Sequence, residues 1–340
     1  METVTYLLGA GASAQCLPVV NQMAEGIIKT NKLLFDNVSR KDIRGFIVNN
    51  KYLAEVQNEL RWLNKICSEH YSIDTYAKKI YLKDDEEEYI KLKNILSLYF
   101  TIQQKLVLPD KRYDNFWASI LDEKDKFPNH LRIISWNYDS QLELSYKNFV
   151  SSSISLEEAY SRIRMSSFYD EKLISPDGFG IFKLNGSIKK VGRSQGKRYT
   201  KFLVDNFNFG DNLDFFEKLY ESYDAMKLDG MKTKDEQITN ELSFAWEHDF
   251  DKPFYENMKA SVYDTKILVV IGYSFPFFNR KLDKRIINDY MPYLQKVYFQ
   301  APDAENIQER FFAITRKVSE ANMFLRKDEN QFAFPNELDL

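Results

Sequence analysis

The sequence predicts an α/β protein, a doubly wound, Rossmann-like parallel sheet carrying a helical insertion. Two observations carry this. Short apolar runs recur at 3–8, 131–136, 180–184, 266–271 and 296–299, with helical patterns between them. Runs of this length, rich in β-branched and aromatic residues, read as buried strands. Each also ends in a small or polar cluster: Gly9-Ala10-Gly11-Ala12-Ser13, Asn137-Tyr138-Asp139, Asn185-Gly186-Ser187, Gly272-Tyr273-Ser274 and Gln300-Ala301-Pro302-Asp303. In an open parallel sheet, ligands bind at the carboxyl ends of the strands.

The first element sets the frame. Thr3 to Leu8 runs into Gly9-Ala10-Gly11-Ala12-Ser13-Ala14, the G-x-G-x-x-A spacing of a dinucleotide loop. The first glycine suits a tight turn, the second a close backbone approach to a pyrophosphate, and the small last residue helix-on-strand packing. Val20, Met23, Ala24, Ile27 and Ile28 then repeat at helical spacing, so helix N-terminal amides are expected to face the phosphates. The competing reading is a tight strand-to-helix turn with no ligand.

From about residue 40 to 127 the pattern stays helical. Leu53, Val56, Leu60, Leu63 and Cys67 share one face, and Ser72 and Asp74 are candidate N-caps. The acidic run 84–88 reads as a helix start, where acid suits the dipole, and not as a metal site. The expected organisation is therefore 1–39 as the first part of the core and 40–127 as a helical insertion. The rest of the core follows at 128–326, with a polar segment at 189–264 inserted in it, and 327–340 forms a loose C-terminal tail.

Composition narrows the function. At 340 residues, 44% hydrophobic and 29% charged, the chain is an ordinary globular one with a sizeable core. No apolar run approaches the ~18 residues of a membrane span, and no secretory leader pattern opens the chain. The two cysteines, Cys16 and Cys67, cannot form a four-cysteine zinc site, and a reduced, cytoplasmic protein is expected. A net charge of −3 gives no pull toward nucleic acid. The basic stretch Lys189, Lys190, Arg193, Lys197, Arg198 and Lys201 reads as a solvated loop.

Taken in order, Gly9-Ala10-Gly11-Ala12-Ser13, Ser135-Trp136-Asn137-Tyr138-Asp139, Lys183-Leu184-Asn185-Gly186-Ser187 and Gly272-Tyr273-Ser274-Phe275-Pro276 resemble the motifs of the sirtuin-like NAD-binding proteins. The match is to the zinc-free bacterial branch common in anti-phage defence, and it covers about half of the chain, the nucleotide-binding core. The resemblance implies a sirtuin-type fold. It implies that Gly9, Ala10, Gly11 and Ser13 hold the NAD pyrophosphate, and that Pro18 is the proline that follows this loop. Asn137 matches the asparagine facing the nicotinamide ribose, and Asp139 the acid of the same motif. Gly272 and Ser274 match the contacts to phosphate and adenosine ribose, and Gln300 falls near a position that is usually an asparagine binding that ribose. NAD is then substrate or ligand, without zinc, and the implied reaction is hydrolysis to nicotinamide and ADP-ribose.

Asn185 breaks the pattern. Active members carry histidine there, and an asparagine cannot take a proton near neutral pH. His70 lies in the helical insertion and His130 at the wrong end of its strand. His248 is expected to be a surface or capping residue. The sequence therefore leaves open a catalytically degenerate module that binds NAD or ADP-ribose as a sensor, assembled with a protein partner or with its own copies.

Overall fold

Ten strands lie among the described residues: β1 (Thr3–Leu8), β2 (Leu131–Ser135), β3 (Met165–Ser167), β4 (Gly180–Lys183), β5 (Lys190–Ser194), β6 (Lys197–Lys201), β7 (Ile238–Asn240), β8 (Thr265–Ile271), β9 (Lys296–Gln300) and β10 (Met323–Arg326). The computed structural model describes residues 2–38, 51–151, 153–169, 173–188, 190–194, 197–201 and 238–338. Seven strands form one sheet in the order β10-β9-β8-β1-β2-β4-β3, with every neighbouring pair parallel. From β1 the chain builds outward through β2 to β4 and β3. It then returns to the other side of β1 for β8, β9 and β10. That reversal makes a doubly wound sheet with its switch point between β1 and β8, the place where such sheets bind ligands.

All six residues of β1 and all five of β2 are buried. This is expected where a parallel sheet is covered on both faces. The period of two sends Leu7 into the core with Val270, Phe299 and Phe311. Tyr6 goes to the other face, edge-on to Phe116 at 5.2 Å between ring centroids.

The chain divides into two units. The first, Met1–Ala14 with Pro109–Ser187 and Ser243–Leu340, holds the seven-stranded sheet. The second, Gln15–Leu108 with Ile188–Leu242, holds helices α1 (Met23–Val38), α2 (Lys51–Glu69), α3 (Ile73–Leu82) and α4 (Glu86–Leu106), and the antiparallel sheet β6-β5-β7. Ser72 caps α3 by accepting the Thr75 amide, and Asp85 caps α4 by accepting that of Glu88. The acidic run is thus a helix start, as its position relative to the dipole predicts. The basic stretch supplies the β5–β6 pair, in which Arg193 lies opposite Arg198. Lys189 and residues 202–237 of the inserted polar segment fall outside the described residues.

Helix α5 (Lys111–Ile120) belongs to the sheet unit, as do α6 (Gln141–Val150), α7 (Leu156–Arg162), α8 (Pro253–Val262), α9 (Arg280–Arg285) and α10 (Ala304–Phe312). Two strands of this unit's sheet, β3 and β10, were not legible as apolar runs, nor were β5, β6 and β7 of the second unit. The segment after Lys327, expected as a loose extension, packs against the sheet. Phe332 is buried, and the Tyr6 hydroxyl donates to the Ala333 carbonyl at 2.9 Å.

Candidate functional site

The loop after β1 does not feed a helix directly. It closes a single tight turn, Ala10–Ser13, and α1 begins only at Met23. The expectation that helix N-terminal amides point at a ligand is therefore not met. Pro18 supplies a reason: it lacks an N–H and forces the preceding residue toward extended backbone, which interrupts a helix.

The loop is instead locked to its neighbour across the switch point. The Gly9 amide donates to the Ile271 carbonyl at 3.0 Å, and the Gly11 amide to that of Gly272 at 3.0 Å. The Ala12 amide turns back to Gly9 at 2.9 Å. A Cβ built on Gly11 would sit 2.6 Å from the Gly272 Cα, and Gly272 takes a left-handed φ of +58°. The glycine spacing thus serves backbone-to-backbone packing of two loops. Of the loop residues, Ala10 is exposed, Gly11 half-buried and Ser13 buried.

Asn137, just past β2, reaches this loop. Its Nδ2 donates to the Gly9 carbonyl at 2.8 Å and lies 3.5 Å from the Ser13 hydroxyl. Ser13 Oγ donates to Asp139 Oδ2 at 3.1 Å, and the other Asp139 oxygen accepts the Gln141 amide at 3.0 Å. Burial raises the Asp139 pKa, while Lys183 and these hydrogen bonds work against the rise. Beneath it, buried Lys183 donates to the Asp139 carbonyl and to Glu143 Oε1, the latter at 3.1 Å.

Asn185 leaves the end of β4 toward the same strand ends. Its Nδ2 donates to the Trp136 carbonyl at 3.0 Å, and its backbone carbonyl accepts the Ser243 amide at 2.9 Å. Its Oδ1 is buried without a hydrogen-bond partner among the described residues. Trp136 stacks on Tyr273 at 5.7 Å and 11°. The Tyr273 hydroxyl donates to both oxygens of buried Asp283, at 2.9 and 2.8 Å. Burial pushes the Asp283 pKa well up, with Tyr273 and Trp136 beside it working the other way. His248 is half-buried and caps the C-terminal end of the tight turn Ala245–Glu247, in line with the capping role expected of it. Its ring meets Trp136 and Phe168 edge-on, and its Nδ1 bonds the Tyr255 hydroxyl.

Gly9, Gly11, Ser13, Asn137, Asp139, Asn185 and Gly272 thus come together at the strand ends. Of the other predicted residues, Ala10 and Ser274 are exposed, and Gln300 is turned to other partners. The Gln300 side chain donates to the carbonyls of Asp328 and Gln331, at 2.5 and 2.6 Å, and accepts the Ala333 amide at 2.8 Å. The Ser274 carbonyl accepts from Arg310 at 3.0 Å. The sequence reading missed Asp110, Arg112 and Tyr113 at the start of α5. Arg112 donates to the Gly11 and Ala12 carbonyls at 3.1 and 3.2 Å, and the Tyr113 hydroxyl lies 3.1 Å from Ser13 Oγ. Only Asp110, an N-cap type after Pro109, left a sequence signal.

Among the described residues, no group of three or more His, Cys, Asp or Glu could hold a metal ion. Nor is any described helix long and apolar enough to cross a membrane.

Fold and site together define a doubly wound α/β domain with paired loops and a polar cluster at its switch point. Among solved structures, the chain is similar to one described as the structural basis of sirtuin substrate affinity. The similarity covers 92% of this chain and 93% of that one, at 12% identity and a TM-score of 0.36. No family model and no curated protein matches the chain.

Proposed function

We propose that the chain binds NAD or an ADP-ribose-containing nucleotide at the strand ends around Gly11 and Gly272. What supports this is the convergence of four separate motifs at the topological switch point, with Asn137 bonded directly to the loop at Gly9. The sirtuin-like order of those motifs gives the ligand class. The reaction in view is cleavage of the nicotinamide–ribose bond, through an oxocarbenium-like ribose as in glycoside hydrolysis. Asn137 and Asp139 act on the loop, the first through Gly9 and the second through Ser13. Asn185 offers its Oδ1 to a ligand hydroxyl. Nicotinamide leaves with the bonding pair, and water adds at the ribose carbon and loses a proton to give ADP-ribose. Holding the ribose and excluding bulk water until that attack supply catalysis without a base, at a cost of ~10²–10⁴-fold in rate.

Calorimetry with NAD and ADP-ribose, followed by an assay for released nicotinamide, tests both levels. Tight binding with slow release of nicotinamide is expected. An absence of binding by either nucleotide overturns the reading. Asn185 favours a second reading, a nucleotide sensor in a cytoplasmic defence system, assembled with a protein partner or with its own copies. Binding without turnover under all conditions selects that one.

A further inference from the structure

The buried ion pair under the loop has no place in the motif-based reading. Asp110 and Arg112 are 1% and 4% exposed. Arg112 Nη2 lies 2.6 Å from Asp110 Oδ2, and Nε bonds Oδ1 at 3.0 Å and Oδ2 at 3.2 Å. The same Nη2 reaches the carbonyls of Gly11 and Ala12. On its outer side, the guanidinium lies 5.4 Å from the centroid of the Phe332 ring. The pair is itself fixed: Asp110 Oδ1 accepts the Arg112 amide at 3.0 Å, and the Asp110 amide donates to Gln141 Oε1 at 2.9 Å.

The electrostatic consequence falls on the loop. Peptide carbonyls carry the negative ends of the backbone dipoles, and those facing a crevice repel an anion. In a trans peptide, C=O and N–H point opposite ways. The Ala12 N–H is itself spent on the Gly9 carbonyl, so what the fork does is hold the Gly11 and Ala12 carbonyls away from an anion and, with them, the position of the turn. The forked geometry needs arginine, because an ammonium is a point charge that cannot hold the carboxylate bidentately while reaching two carbonyls.

We infer that Arg112, held by Asp110, is a positioning residue that orients the Gly11–Ser13 peptides for a phosphate-bearing ligand. This rests on the proposed nucleotide site. The test compares ADP-ribose with adenosine, which lacks the pyrophosphate, well below the melting temperature. Arg112→Lys keeps the buried charge and loses the fork. Asp110→Asn/Arg112→Gln removes both charges, so neither is left buried alone. In both variants ADP-ribose affinity should fall about tenfold or more, as for a lost charge-assisted hydrogen bond, with adenosine affinity little changed. Equal losses for both ligands, or a lower melting temperature with unchanged ADP-ribose affinity, would reduce the pair to a structural one and overturn the inference. Failure of the wild-type protein to bind ADP-ribose would instead remove the nucleotide site on which it rests.

Discussion

Gly11 and Gly272 meet so closely that neither can carry a side chain. A Cβ on Gly272 would lie 2.3 Å from the Gly11 Cα, and the φ of +58° there strains any L-residue. Gly272→Ala should therefore destabilise the sheet unit by at least ~1–3 kcal/mol, the cost of a strained backbone before any clash. Urea denaturation measures it, and a wild-type midpoint would mean the two loops are not in register. Gly11→Val strikes the same contact, so lost nucleotide binding in that variant would report loop disruption together with any lost ligand approach.

The lysine of Lys183-Leu184-Asn185-Gly186-Ser187 is expected to matter for stability. Lys183 and Glu143 are 1% and 0% exposed in their side chains, and the second Glu143 oxygen has no hydrogen-bond partner among the described residues. Removing one member leaves a buried charge uncompensated, so Lys183→Met should cost about 3–5 kcal/mol. Adding Glu143→Gln should recover much of it. A double-mutant cycle by denaturation checks this, and additive losses would show that the two charges are not coupled.

Such pairs mark the limit of what the sequence carried. β8 was plain because it is a continuous apolar run in the sheet interior. β3 and β10, the sheet's two edges, were not: β3 is only Met165-Ser166-Ser167, buried but carrying two serines. β10 offers only the short run Met323-Phe324-Leu325 before Arg326, with Phe324 and Arg326 exposed. Asn137 and Asp139 could be placed near the loop because each follows a strand, and strand ends gather in a parallel sheet. Arg112 could not, since its partners are backbone carbonyls about a hundred residues away that no side-chain pattern records. Gln300 shows the converse. Its position at the end of β9 was legible, but the side-chain direction was set by the segment from Asp328 to Ala333.

Asp283 should give the protein a pH-dependent stability. An unfolded aspartate titrates near ~3.9, and burial places the folded group well above that. Between the two values the native state holds a proton that the unfolded chain has released. Stability therefore falls as pH rises through this window, and the loss is complete above the folded pKa. Asp283→Asn cannot titrate. It should flatten this slope and raise stability at neutral pH relative to wild type. Denaturation midpoints from pH 4 upward are the measurement, and parallel curves for the two proteins would show that Asp283 does not titrate in this way.

Asn185 carries the most informative substitution. Its amide nitrogen is spent on the Trp136 carbonyl, while Oδ1 is buried with no hydrogen-bond partner among the described residues. Leaving such an acceptor unsatisfied costs about 1–3 kcal/mol, a cost that a ligand hydroxyl donating to it would relieve. Asn185→Ala removes the acceptor and should weaken NAD binding. Asn185→His does something different, because imidazole can also take the proton that the amide cannot. If the rest of the crevice is competent, nicotinamide release should rise by ~10²-fold, the lower end of the range for a positioned base. The rise should follow a pH profile that climbs through the range of histidine titration, near ~6.5. An Asn185→His protein that binds NAD as wild type does and still releases no nicotinamide would show that more than the base is missing. The nucleotide-sensor reading would then stand in place of the hydrolase.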